Sequence, residues 1–216
     1  MPRLILVLRD LYPARLDAAT ESALPRLPAL ERWLQLGEVS PAPNGWREWL
    51  WGQFGDGTQA ASPPASIAAA AVSGVPADEP LWLATPVHFI AGLDTVRLHP
   101  AGLLQLDPDE QAALAADFPR VFADSGHSLH ATGRRELLLA GGAPLASDRV
   151  SSHDPARWLG MDPRGGFPGG EAARALRRLG AEIEMWLHEH PVNRARAARG
   201  LLEANALWLW GGGGAA

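Results

Sequence analysis

The sequence predicts an α/β chain with an α+β section in its middle, and three features carry that prediction. Residues Arg3-Leu-Ile-Leu-Val-Leu8 form an unbroken apolar run bounded by charge, the pattern of a strand buried on both faces beneath helices. Between Leu81 and Leu139, β-like stretches surround one well-marked helix. From Glu171 to His190 apolar residues recur at helical spacing, and an apolar strand follows around Leu207-Trp-Leu-Trp210.

In chain order, Asp10 stands at the carboxyl end of the first run, the edge at which open α/β sheets bind ligands. It suits a metal ligand or an acid–base group. The commoner role for an aspartate before Tyr12-Pro13 is a turn or helix cap. Residues 13–37 are helical in pattern but broken by Pro25 and Pro28, with Leu27, Leu30, Trp33 and Leu34 expected on a buried face and Gly37 as the stop. After the turn cluster Pro41 to Gly45, Trp46, Trp49, Leu50 and Phe54 again fall at helical spacing; such a helix could stack sugars or bases, but core packing or a protein interface is the commoner use. An Ala-rich helix is expected from Ala65 to Val72. Ser62 or Ser66 at its start would suit a nucleophile facing exposed amides, but no G-x-S-x-G elbow surrounds either, and capping serines are common there.

Leu81 to Ile90 and Asp94 to His99 read as an antiparallel hairpin turning at Ala91-Gly92-Leu93, with Pro86 at an edge or a bulge. Asp107-Pro-Asp-Glu110 carries the letters of a capping box and should open a helix running to Phe118 or Phe122. Ser128 to Thr132 and Arg134 to Leu139 suggest a second strand pair. Ser151-Ser-His-Asp154 holds the letters of a hydrolytic triad, but neighbouring side chains do not aim at one another as that chemistry requires, so a loop is expected. In the final helix Leu176, Leu179, Ile183, Trp186 and Leu187 form the apolar stripe, and Pro191 stops it.

Composition removes several chemistries. With no cysteine there is no disulfide, thiol nucleophile or thiolate metal site. All 19 basic residues are arginine, so Schiff-base and P-loop lysines are absent as well. A net charge of -5 disfavours broad nucleic-acid binding. The apolar runs are too short for a membrane span, and Arg9 and Asp10 cut short anything like a leader, so a cytoplasmic protein is expected. The spacings of the seven histidines do not define a metal site, because His188 and His190 cannot share one helical face.

One stretch carries a family likeness. His190-Pro-Val-Asn193, then Arg194, Arg196 and Arg199, Gly200, Ala204-Asn205 and Leu207-Trp-Leu-Trp-Gly211 is similar to a pattern in archaeal-type cofactor-independent phosphoglycerate mutases. It most resembles bacterial phosphoglycerate mutase-like or RpfE-type regulatory proteins, in which the strand ends Trp-x-Trp-Gly-Gly-Gly. The segments Leu81 to His88, Asp107 to Glu110 and Ser152 to Asp154 follow in the same order there. The likeness is specific over 188–211, weaker over 81–187 and positional before that.

The resemblance implies a partial alkaline-phosphatase-like sheet core with an α+β insertion subdomain. On that basis the chain divides into a core segment at 1–80, the insertion-like part at 81–168, and at 169–216 a long helix, Arg-rich turn and strand returning to the core. Enzymes of that superfamily use two divalent metals, here manganese, zinc or magnesium, to activate a serine or threonine nucleophile. Asp10 lies where the first metal aspartate would sit, and Ser66 lies near the nucleophile's place.

Three departures weigh against that chemistry. Asp10 lacks the following glycine, Ser66 lacks the following aspartate, and Trp210 stands where the mutases have arginine. With the sequence stopping at Ala216, the downstream metal ligands have no residues to supply them. The expectation is therefore a catalytically degenerate binding or regulatory protein with no resident cofactor, working through a protein partner, a homodimer or a small anionic ligand. His190, Asn193, Arg194, Arg196 and Arg199 are the candidate anion-recognising patch, against the plainer reading of a solvated helix face with Asn193 as its cap. The alternative is a metal-dependent phosphotransferase or phosphomutase, completed by an oligomer partner or represented by a truncated chain.

Overall fold

The computed structural model describes residues 26–37, 64–76, 78–142, 153–167 and 173–212. The expected first strand, Asp10 and the Trp46 to Phe54 helix lie outside these residues.

The centre is a four-stranded antiparallel sheet built from β1 (Leu81–Val87), β4 (His127–Ala131), β5 (Leu137–Gly141) and β6 (Ala206–Trp210), in the order β4-β5-β1-β6. β2 (Phe89–Ala91) and β3 (Val96–Leu98) form a separate two-stranded ribbon. The helices are α1 (Pro28–Leu36), α2 (Pro64–Ala69), α3 (Pro108–Val121), α4 (Arg174–Glu189) and α5 (Pro191–Ala198).

All seven residues of β1 and all five of β5 and β6 are buried, which explains why these strands read as unbroken apolar runs. Alternate side chains go to opposite faces. On one face Trp82, Leu129, Leu137, Leu139, Leu207 and Leu209 pack in one cluster with Leu114 and Phe118 of α3 and Leu176, Leu179, Ile183 and Leu187 of α4. On the other, Leu81, Leu83, Leu138, Trp208 and Trp210 gather around Ala65 of α2. Burying these residues on both faces is the main stabilising term, at roughly 25 cal/mol per Å² of apolar surface removed from water.

The predicted hairpin forms only at its tip. Phe89 to Ala91 pair with Val96 to Leu98, whereas Leu81 to Val87 form a central strand between β5 and β6. Pro86 is thus not on an edge strand. Pairing with β5 ends at Ala84, while pairing with β6 continues to Val87, whose carbonyl accepts from Asn205 N. Alternation then aims the Pro86 nitrogen toward the side where β5 has already ended, so no ladder bond is lost.

The capping box forms as predicted: Asp107 Oδ1 accepts from Glu110 N at 2.8 Å and Glu110 Oε2 accepts from Asp107 N at 2.9 Å. The expected strand pair of the second half is β4 with β5. The first helix differs from expectation. No residue of α1 is buried, and Trp33 and Leu34 are 63% and 53% exposed, because a buried face requires a partner surface as well as apolar spacing.

Candidate functional site

The His190 to Trp210 stretch links α4 to the sheet, and its polar groups are placed by that task. α4 ends because Pro191 has no N–H to continue it and biases the preceding residue away from helix; His190 accordingly sits at φ −69°, ψ 137°. His190, not Asn193, is the cap of α5. Its Nδ1 accepts from Val192 N at 3.2 Å, which leaves the proton of a neutral ring on Nε2. That Nε2 lies 3.7 Å from Asp117 Oδ2, the same oxygen that accepts from Trp186 Nε1 at 3.0 Å. The Trp186 ring meets the imidazole edge-on at 5.0 Å.

Burial pushes the His190 pKa below its ordinary 6.5; Asp117 opposes that shift and the positive charge of Arg194 adds to it. Between 6.5 and the lowered value, the unfolded chain takes up a proton that the folded chain refuses, so acidification destabilises the fold. Protonating Nδ1 would also abolish the cap. His190→Asn retains a capping side chain without the titration. Denaturation midpoints between pH 7 and pH 5 are therefore expected to fall less steeply in this variant, by at most about 1.4 kcal/mol per pH unit. An unchanged slope would remove His190 from the acid response.

Asn193 is buried and makes three bonds. Its Nδ2 donates to Leu187 O at 2.7 Å and Ala204 O at 2.8 Å, and its Oδ1 accepts from Ala204 N at 2.9 Å. One side chain thus gives Leu187 O a second donor beside His190 N, at the end of α4, and pins the residue that leads into β6. Arg196 is also buried. Its Nε donates to Leu202 O at 2.8 Å, and its Nη1 meets Glu110 Oε2 at 2.6 Å, binding α5 to the capping box of α3. Arg199 Nη1, more exposed, lies 3.4 Å from Glu110 Oε1 and 3.7 Å from Asp107 Oδ2. Arg194 is at the surface.

The five predicted patch residues therefore fall into two groups. His190, Asn193 and Arg196 are built into a buried joint, and Arg194 and Arg199 face outward. Neither Glu110 nor Asn205 was singled out as a partner by sequence reasoning. Glu110 and Arg196 are 86 positions apart, and no local spacing reports such a pair. Asn205 Oδ1 accepts from Phe89 N at 2.7 Å and its Nδ2 donates to Phe89 O at 2.9 Å, extending by side chain the ladder that β6 makes with β1.

The two tryptophans of the strand are 1% exposed. Trp208 Nε1 donates to His153 O and Trp210 Nε1 to Thr85 Oγ1, both at 2.8 Å. Trp210, which occupies the arginine position of the resemblance, is thus a core residue. Asp154 Oδ1 caps a short 3₁₀ turn by accepting from Ala156 N at 2.9 Å, in keeping with the loop predicted there.

Ser66 lies in α2, and its Oγ is buried without a hydrogen-bond partner among the described residues. Asp10 is outside the described residues. Among those described, no three His, Asp or Glu side chains converge on a point that would hold a metal ion. No described helix is long and apolar enough to cross a membrane.

The fold is similar to that of a solved structure, the cofactor-independent phosphoglycerate mutase of Thermoplasma acidophilum. The two agree with a TM-score of 0.50 at 19% identity, over 82% of this chain and 48% of that one. The fold is phosphoglycerate mutase-like. It is accordingly an alkaline-phosphatase-like α/β fold, as the sequence predicted. A curated relative, the 2,3-bisphosphoglycerate-independent phosphoglycerate mutase of Methanothrix thermoacetophila, is 46% identical over 47 residues, which are 22% of this chain and 12% of that protein. This mutase-like chain thus spans about half the length of the solved mutase and matches a small part of the curated one. No protein-family model matches it.

Proposed function

We propose that this chain is a phosphoglycerate mutase-like binding protein of the RpfE-type regulatory kind, without mutase catalysis of its own. The observation that carries this reading is the use made of the mutase-like stretch. His190 Nδ1, the Asn193 amide and Arg196 Nε and Nη1 are committed to Val192, Leu187, Ala204, Leu202 and Glu110, and Trp210 fills the core. A side chain held in a buried joint is costly to withdraw for chemistry, because breaking a buried pair leaves an uncompensated charge. The stretch thus supports scaffolding, with binding left to the surface. The Trp208-Leu-Trp210-Gly-Gly-Gly ending adds the RpfE-type likeness.

Arg194 and Arg199 are the outward-facing cations at which a small anion would dock, with Arg199 shared between that ligand and Asp107 and Glu110. The test is an assay of the purified chain for phosphoglycerate mutase activity and for p-nitrophenyl phosphate hydrolysis, with manganese, zinc or magnesium supplied and bound metal quantified. The expected result is no turnover above the metal-only rate. Turnover that disappears in Asp10→Asn or Ser66→Ala would overturn the proposal and establish the phosphotransferase reading.

A further inference from the structure

The last turns of α3 and α4 meet at a cavity of about 560 Å³, on the His190 side of the joint. Its apolar surface is provided by Trp186 and by Met185, which is 68% exposed. Asp117, Glu182 and Glu189 bring carboxylates to its wall. α3 and α4 point their carboxyl ends at it, and the negative ends of their dipoles outnumber the one positive end that the short α5 brings at Pro191.

Arg120 lies 3.5 Å from Asp117 and Arg178 3.0 Å from Glu182, but these guanidinium side chains are 81% and 83% exposed. Such exposed pairs contribute little and exchange readily for a better-held cation. Glu189 has no side-chain partner among the described residues.

His190 supplies a second and independent pointer. It is 5% exposed and lines the cavity, with Nδ1 engaged by Val192 N. Its Nε2–H has Asp117 Oδ2 as the nearest carboxylate oxygen, at 3.7 Å, too far for a hydrogen bond. The wall therefore presents an unbonded donor, on a side chain otherwise buried, beside carboxylates and an indole.

We infer that this groove binds a basic peptide segment of a protein partner. An arginine or lysine side chain lies along Met185 and Trp186, its cationic head among Glu182, Glu189 and Asp117, while a peptide carbonyl accepts from His190 Nε2–H. Aliphatic stems of basic residues cover apolar surface well, and a cation over an indole face gains further attraction. An anionic ligand would meet three like charges. A purely apolar partner would strip water from those carboxylates without pairing them.

The inference names the partner class for the binding role proposed above and rests on that reading. Its test reads peptide binding and not turnover, so the two can fail separately. The full chain is titrated into a fluorescein-labelled peptide Gly-Leu-Arg-Leu-Arg-Gly and into its counterpart with both arginines replaced by glutamate, following anisotropy. Saturable binding of the basic peptide alone is expected, about tenfold weaker for Glu182→Gln/Glu189→Gln and unchanged for Glu203→Gln. Unaltered affinity in the double variant, equal binding of the acidic peptide, or no binding at all would each overturn the proposal. Displacement by arginine amide at concentrations equal to the peptide's would do so too, since it would assign the groove to small cations.

Discussion

Arg196→Ala is expected to lower folding stability by about 3–5 kcal/mol. The side chains of Arg196 and Glu110 are 5% and 9% exposed, and their charges meet at 2.6 Å. Removing the guanidinium leaves the carboxylate beneath α5 with the Asp107 N–H and the longer Arg199 contact as its remaining partners, and leaves Leu202 O without its donor. Urea denaturation followed by tryptophan fluorescence measures the loss. Arg194→Ala, on the exposed side of α5, serves as the control and should change stability by less than about 0.5 kcal/mol. The double variant Glu110→Gln/Arg196→Met removes both charges together and should recover part of the loss, since a buried pair is often replaceable while half of one is not. A cost below about 1 kcal/mol for Arg196→Ala would mean that the pair does not hold α5 to α3.

Asn193→Ala is the second large effect, expected at about 3 kcal/mol or more. The variant leaves Ala204 O and Ala204 N without a partner, each buried polar group left unpaired costing about 1–3 kcal/mol, and takes from Leu187 O one of its two donors, the other being His190 N. Asn193→Asp separates geometry from hydrogen bonding. It retains an acceptor for Ala204 N but sets a carboxylate oxygen against two carbonyls, so it should be no more stable than the alanine variant. Hydrogen exchange at the Ala204 amide reports the same contact locally: its protection should drop in Asn193→Ala by more than the global loss of stability explains only if the joint opens on its own. Wild-type stability in Asn193→Asp would refute the donor roles assigned to Nδ2.

These two residues also show how the mutase-like stretch is used. In the sequence, Asn193, Arg194, Arg196 and Arg199 stand together as a polar cluster, and clustered polar residues suggest a site. In the fold, helical geometry separates them. Arg196 turns inward to Glu110, Asn193 reaches back to Leu187 and forward to Ala204, and Arg194 faces water.

What could be read from the residues alone was local. The capping box of Asp107 and Glu110, the apolar stripe of α4, the stop at Pro191, the β4 and β5 pair and the mutase-like fold class were all legible, because each depends on periodicity, on contacts within a few residues, or on a motif read in order. The folded chain settled what depends on distant partners. It made Leu81 to Val87 a central strand and left the spaced apolar residues of α1 exposed. It also set Glu110 against Arg196, 86 residues away, and brought Asp117 to Trp186, 69 residues away. A helical or alternating pattern states that a face is apolar, but the surface that covers it, and the charge that meets a buried arginine, come from elsewhere in the chain.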